Sequence, residues 1–285
     1  MSFCILYLAS PRAFHIYDDP LQASRVQLLY QSLEVTHRLF PTTDIYVFHE
    51  DYTQKEFELL APFGVKEFIQ VDFRGREHLR NPTLRRPYGY LMMCRFFSGI
   101  VQQYPQLQQY THYMRLDDDS YFQEPFLSED YVKTHLLKHD YVYRSTFGDD
   151  KDQQSLFNFT LDFLRKEGYA VHIQTLKDVL RKKYFLFGDK YSGLAPYNNF
   201  HIASQRLWKN PLIQRYIEAV DASNGILQHG WMDANIHAMI IYALTLFCGM
   251  KIHHDGTFGY RHNRHVSRYD STAVDYIESL PFGLQ

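Results

Sequence analysis

His112-Tyr113-Met114-Arg115-Leu116 runs straight into Asp117-Asp118-Asp119. The first five residues read as a buried strand, and the three carboxylates stand where that strand would leave a sheet. Like charges held this close repel, so folding them together costs energy unless a cation is present. Side chains alternate along a strand, so Asp117 and Asp119 point the same way. A hard divalent ion bound by one or two carboxylates plus diphosphate oxygens needs that arrangement. A solvated, Asp-rich turn is the plain alternative. The apolar strand before the triplet and Ser120-Tyr121-Phe122 after it favour the metal.

Upstream, Phe3-Cys4-Ile5-Leu6-Tyr7-Leu8-Ala9 predicts a strand ended by Ser10-Pro11. Val26, Leu29, Tyr30, Leu33 and His37 recur at helical spacing, in a helix that stops before Pro41. Ile45-Tyr46-Val47-Phe48 predicts the next strand, Phe57, Leu59 and Leu60 a short helix, and residues 65–73 a third strand. Strand and helix alternate, which points to a mostly parallel sheet covered on both faces. Met92, Met93, Phe96, Phe97 and Ile100 mark a further helix, and Tyr141-Val142-Tyr143 a further strand. Two short amphipathic helices fit within residues 156–183, and single helices fit 204–220 and 232–247. With no repeat, low-complexity run or linker, the 285 residues are expected to form one two-lobed α/β domain.

Lys and Arg total 30 and Asp and Glu 32, a net charge of -2, so a chain that lives on nucleic-acid phosphates is not expected. The 23 Tyr and 22 Phe supply rings suited to stacking on sugars or bases, although composition alone favours the plainer reading of a Tyr-rich core and surface. Three cysteines, Cys4, Cys94 and Cys248, are far apart and match no disulfide framework or zinc site. The longest apolar stretch, residues 238–250, is 13 residues and too short to span a bilayer. Residues 3–9 lack the basic flank and cleavage site of a signal peptide, so a cytoplasmic or soluble location is expected.

Two further clusters carry charge. Residues 74–87 hold Arg74, Arg76, Arg80, Arg85 and Arg86, which either clamp phosphate oxygens or form a solvated face. Residues 253–265 hold His253, His254, His262 and His265. Their spacing fits no zinc-protease signature, and one His joining the Asp triplet is the simpler reading. No P-loop, no G-x-G-x-x-G after the first strand and no G-x-S-x-G elbow is present, which removes ATPase, dinucleotide and serine-hydrolase readings.

Tyr90-Leu91-Met92-Met93-Cys94-Arg95-Phe96-Phe97-Ser98-Gly99 resembles the Y-x-x-M-C-R-x-x-S-G segment of glycosyltransferase family 15, the fungal α-1,2-mannosyltransferases. Tyr113 to Asp119 is similar to the family's Y-W-R-V-E-P-D, and Gly230-Trp231-Met232-Asp233-Ala234-Asn235-Ile236-His237 to R-W-G-D-A-P-V-H. Ile252-His253 and Gly259-Tyr260-Arg261-His262 resemble I-H-F and G-Y-Y-H. Residues 32–57 also resemble the family's early helix and strand. The resemblance runs in one order over residues 3–265.

It implies a GT-A fold, a divalent metal (usually manganese), a GDP-mannose donor and retention of configuration, with a saccharide, glycoprotein or glycolipid as acceptor. Residues 1–122 would be the nucleotide-sugar and metal half, and 123–285 the acceptor half with the metal-binding His region. By position, Asp117, Asp119 and His262 would bind the metal. Arg12, Tyr90, Arg95, Arg115, Asp118, Tyr197 and Trp231 would face the donor. The chain departs from the family at Asn198-Asn199-Phe200-His201-Ile202, where S-N-F-E-I has a Glu next to the reacting sugar. A neutral imidazole stabilises an oxocarbenium ion less than a carboxylate does. Either another acid, with Asp233 the candidate, serves that role, or the donor and mechanism have changed; His201 and Asp233 are the catalytic candidates. The leading expectation is a metal-dependent hexosyltransferase. A nucleotide-sugar or glycan-binding protein without turnover is the alternative, and a zinc hydrolase built on the histidine cluster a third.

Overall fold

A computed structural model describes residues 1–11, 25–148 and 153–262 of the chain. Arg12 and His265 lie outside the described residues. Seven strands form the central sheet: β1 (Phe3–Leu8), β2 (Ile45–His49), β3 (Val65–Gln70), β4 (His112–Asp117), β5 (Tyr141–Tyr143), β6 (Phe200–Ser204) and β7 (Ile252–His254). Their order is β7-β5-β6-β4-β1-β2-β3. Every pairing is parallel except those of β6, which runs antiparallel to both β4 and β5.

Burial on both faces explains the apolar runs of the parallel strands. Phe3, Ile5 and Tyr7 of β1 join Met114 and Leu116 of β4 in one core layer, and Cys4, Leu6 and Tyr113 join the other. Parallel neighbours need crossovers. Helix α1 (Arg25–Leu39) and the short helix Gln54–Leu60 supply two of them, and α2 (Tyr88–Arg95) lies on the path from β3 to β4. Helix α3 (Asp233–Tyr242) is buried along all ten residues, as expected of a helix enclosed by the core.

β6 has no counterpart among the strands that hydropathy predicts. Phe200 and Ile202 fill one core layer while His201 and Ala203 turn to the opposite side of the sheet. The antiparallel direction of β6 brings polar residues to the acidic triplet. Pairing Phe200 with Leu116 and His201 with Arg115 sets the start of β6 beside the end of β4. The Asp117 N–H then donates to the Asn199 carbonyl at 3.2 Å, so Asn198 and Asn199 are delivered to the triplet.

The predicted helix over 204–220 is two helices, Gln205–Trp208 and Pro211–Ala222. Asn210 caps the second through its side-chain oxygen, which accepts from the N–H groups of Leu212 and Ile213, and Pro211 takes the first helical position. The predicted helix over 232–247 ends at Tyr242. The third strand stops at Gln70, three residues short of its predicted end. All three cysteines are free. Among the described residues, no helix is long and apolar enough to cross a membrane.

Candidate active site

The C-terminal ends of β1, β2 and β4, the residues leading into β6 and the first turn of α3 surround a cavity of about 730 Å³. This is the position at which open α/β sheets take ligands. Asp117, Asp118, Asp119 and His262 line it, with Tyr90, Arg115, Tyr197 and Asp233.

His262 arrives by a local device. Tyr121–Gln123 pairs antiparallel with Gly259–Arg261, and Arg261 stands opposite Tyr121. The next residue in the chain is therefore set down beside Asp119. The ribbon closes only because residue 259 is a glycine: a Cβ there would sit 2.6 Å from the Glu124 carbonyl oxygen. The Tyr260 hydroxyl ties the ribbon down, donating to the Asn199 carbonyl at 2.9 Å and meeting the Ser120 hydroxyl at 2.6 Å.

His262 Nε2 lies 3.0 Å from Asp119 Oδ1 and 3.3 Å from Asp117 Oδ2. One ligand atom from each of the three residues falls within 4.8 Å of the others. Adjacent ligands of an octahedral ion with bonds near 2.1 Å are about 3 Å apart, so these spacings suit a small divalent cation. Asp119 Oδ1 is buried and has no hydrogen-bond partner beyond its ion pair with His262, which suits an atom that could take a cation. On the far side of the ring, His262 Nδ1 is 3.0 Å from the Tyr197 hydroxyl. An Nδ1–H donated there leaves Nε2 free to ligate. Burial pushes the His262 pKa down, but Asp119 and Asp117 outweigh it and hold it well above the ordinary value. A cation bound there would compete with a proton on His262, so metal binding is expected to release it.

Asp118 turns the other way. It accepts from the Ser10 N–H at 3.0 Å and from Arg25 Nε at 3.2 Å, and it forms a second, very close contact with the same guanidinium. Arg25 Nη1 also donates to Asp119 Oδ2 at 2.8 Å. Arg25, which lines the cavity, has no signal in the sequence: it opens α1, and its partners are more than 90 residues away.

Arg115 is the hub of the floor. Its side chain is buried, with Nε 3.0 Å from Asp117 Oδ1 and Nη1 2.6 Å from Asp233 Oδ2. Its guanidinium carbon sits 3.5 Å from the centre of the Phe97 ring, a cation–π contact. Burial opposes its charge, yet the two carboxylates outweigh that and raise its pKa. Asp233 begins α3, where the helix dipole favours an anion. It also accepts from Asn198 Nδ2 at 2.9 Å. Burial pushes the Asp233 pKa up, but Arg115 more than compensates and lowers it, so the carboxylate stays ionised.

Three expected site residues are not on the cavity wall. His201 is fully buried behind Arg115, among Tyr113, Tyr141 and His237, so it does not face a substrate as a catalytic group. Arg95 points to a separate groove, where it grips Asp221 through Nε at 2.5 Å and Nη2 at 2.9 Å. Trp231 is a packing residue: its indole N–H donates to the Ser155 hydroxyl at 2.9 Å, and its ring fills the space where a Cβ on Gly225 would stand, 2.2 Å away. Arg95→Ala is accordingly expected to leave nucleoside-diphosphate affinity within about twofold of wild type while costing about 1 kcal/mol of stability. Isothermal titration and thermal unfolding read the two effects separately, and a tenfold loss of affinity would return Arg95 to the donor site.

Tyr90 lines the cavity with the Arg86 guanidinium 4.6 Å above its ring. Of the arginines in the loop over 74–87, Arg86 alone lines this cavity. Arg74 pairs with Asp72 on the surface, and Arg80 donates to the carbonyls of Leu84 and Arg86. In the histidine cluster, His253 stacks on His139 and His254 packs against Tyr143, so His262 is the one described member that joins the acidic triplet. Glu50, just past β2, also lines the cavity and has no sequence signal.

The family model described as glycolipid 2-alpha-mannosyltransferase matches residues 72–276. The glycolipid 2-alpha-mannosyltransferase of Saccharomyces cerevisiae is 26% identical over 263 residues, which cover 84% of this chain and 56% of that protein. The O-glycoside alpha-1,2-mannosyltransferase homolog 2 of Schizosaccharomyces pombe is 27% identical over 176 residues, 61% of this chain and 46% of that one. The chain thus spans about half the length of the curated relatives it matches. Among solved structures, core-mannan synthase A from Aspergillus fumigatus in its Mn/GDP form superposes with a TM-score of 0.69 at 17% identity, covering 92% of this chain and 75% of that one. The mannosyltransferase Ktr4p of S. cerevisiae superposes with a TM-score of 0.70 at 16% identity, covering 92% and 70%. These likenesses fix the fold as GT-A, in line with the mixed, mostly parallel sheet. The family match over residues 72–276 fixes the lineage: the chain belongs to the glycolipid 2-alpha-mannosyltransferase family, glycosyltransferase family 15.

Proposed function

We propose that the chain is a metal-dependent glycosyltransferase that moves mannose from GDP-mannose, with retention and in α-linkage, onto a saccharide or glycoconjugate acceptor. The observation that carries this reading is the convergence of Asp117, Asp119 and His262 on the cavity that Asp233 and Arg115 floor. The relatives are named alpha-1,2-mannosyltransferases, and one similar structure is described as a Mn/GDP form, which supports the donor and the metal.

A divalent ion such as manganese, held by Asp117, Asp119 and His262, would supply Lewis-acid neutralisation of the departing diphosphate. Arg25 keeps Asp118 and Asp119 in place and adds positive charge beside the phosphates. Asp233 presents an ionised carboxylate to the sugar, where it accepts from a hydroxyl and stabilises positive charge developing at the anomeric carbon. Because Arg115 and Asn198 occupy the same oxygen, Oδ2, Asp233 is a held acceptor rather than a free nucleophile. The acceptor hydroxyl then bonds to the anomeric carbon on the face from which the diphosphate oxygen departs. The bond between that carbon and the diphosphate breaks, and the hydroxyl proton passes to a diphosphate oxygen.

The test is diphosphate release from a panel of nucleotide sugars, with manganese and with EDTA. GDP released from GDP-mannose and lost in EDTA is the expected result. Release from a different donor would replace the sugar assignment. Silence across the panel with GDP binding retained would leave either a missing acceptor or a binding protein, and repeating the panel with saccharide acceptors added separates the two.

A further inference from the structure

We propose that His201 is a positioning residue, a neutral imidazole that orients Asn198 and through it fixes Asp233 on the cavity wall. This rests on the reading that Asp233 faces the donor sugar.

The hydrogen bonds assign the imidazole's proton. His201 Nδ1 lies 3.1 Å from the Asn198 carbonyl oxygen. A carbonyl only accepts, so Nδ1 carries the hydrogen. Nε2 lies 3.3 Å from the Tyr113 hydroxyl. With the proton on Nδ1 of a neutral imidazole, Nε2 accepts from Tyr113. The Tyr113 oxygen in turn accepts from Gln102 Nε2 at 3.2 Å. Every member of the relay therefore has one consistent role.

The ring is also clamped. It stacks on Tyr141 with centroids 5.1 Å apart and planes 13° apart, and it meets Tyr113 and His237 edge-on. Burial pushes its pKa well below the ordinary value, with His237 and Arg115 adding to the effect, so the neutral form persists across the working range of pH.

The link from residue 201 back to the carbonyl of residue 198 closes the turn that leads into β6. That turn sets the direction of the Asn198 side chain, whose Nδ2 donates to Asp233 Oδ2 at 2.9 Å. Arg115 holds the same oxygen from the β4 side. Asp233 is thus fixed by two donors, and the one from β6 is aimed by His201. A misplacement of about 1 Å at such a carboxylate is enough to cost about 10²-fold in rate.

Two substitutions separate aiming from packing. His201→Asn keeps an N–H near the Nδ1 position; His201→Gln puts its amide near Nε2 and loses the donor to Asn198. Both are measured at a temperature where thermal unfolding shows them folded. In His201→Gln, kcat for GDP release from GDP-mannose is expected to fall about 20-fold or more, with affinity for GDP and manganese within about twofold of wild type. His201→Asn is expected to stay within about fivefold in kcat, although it leaves the larger void. Equal losses in both variants, or none in either, would overturn the proposal. A second readout does not depend on turnover. Nitrogen-15 NMR of the wild-type imidazoles should show His201 as the Nδ1–H tautomer, and an Nε2–H tautomer would overturn the assignment. If the wild type releases no GDP from any donor, the functional reading fails, while the tautomer still decides whether the relay exists.

Discussion

Asp119→Ala is expected to lower manganese-dependent GDP release by about 10³-fold while the protein stays folded. The Asp119 side chain is wholly buried, and it holds Arg25 with one oxygen while presenting the other to His262. Losing it removes the most enclosed of the three residues proposed to hold the metal. Metal neutralisation of a leaving diphosphate contributes several kcal/mol, and each 1.36 kcal/mol is tenfold in rate, which sets the size of the loss. The fold survives because Arg25 keeps Asp118 and Asp118 keeps the Ser10 N–H. Asp119→Asn separates charge from shape: it retains the volume, and its turnover is expected to remain low even at raised manganese. Normal turnover in either variant, or a loss that EDTA reproduces only in part, would sink the assignment of Asp119 to the metal.

How far the site can be read from the sequence depends on where each signal lives. β1, β2 and β4 are buried on both faces, so they print continuous apolar runs that periodicity detects. β6 carries a histidine near its start and two asparagines at its entry. Asn198, His201 and Ser204 find their hydrogen-bond partners inside the core, and no pattern of hydropathy reveals that. The acidic triplet is legible because it ends a strand. His262 is legible only through resemblance, since its approach depends on the pairing of Gly259–Arg261 with Tyr121–Gln123. The misplaced Arg95 is instructive. Tyr90, Met93 and Phe97 line the cavity at i, i+3 and i+7, one face of a helix. Arg95 comes two residues after Met93, about 200° further around at 3.6 residues per turn, and so points to the other side. Helical phase alone removes it. The break at Asn210-Pro211 is likewise written in the sequence, as a capping residue followed by a proline suited to a helix start.

Arg115→Met is expected to destabilise the protein by about 3–5 kcal/mol, a fall in Tm of roughly 10 °C for a chain of this size. Methionine fills much of the space against Phe97 but brings no charge, so Asp233 is left buried with Asn198 and no cation beside it. The pH dependence gives the cause a distinct signature. In the wild type the Asp233 pKa is lowered, so the carboxylate contributes stability above its unfolded pKa and loses that contribution as pH falls. In the variant, burial acts without Arg115 and raises the Asp233 pKa above its unfolded value. The penalty is then full at high pH and is relieved as pH falls and the carboxyl takes up a proton. The gap in Tm between wild type and Arg115→Met is therefore expected to be narrower at about pH 5 than at about pH 8. A gap that is constant or widens in acid would show that lost packing, not an unpaired Asp233, is the source of the instability. Arg115→Lys completes the argument. A single ammonium restores charge but cannot fork between Asp117 and Asp233. It is expected to recover part of the stability and little of kcat, because the hub does two things at once: it neutralises the floor of the cavity, and it holds Asp117 and Asp233, the proposed metal ligand and sugar-facing carboxylate, in one rigid frame.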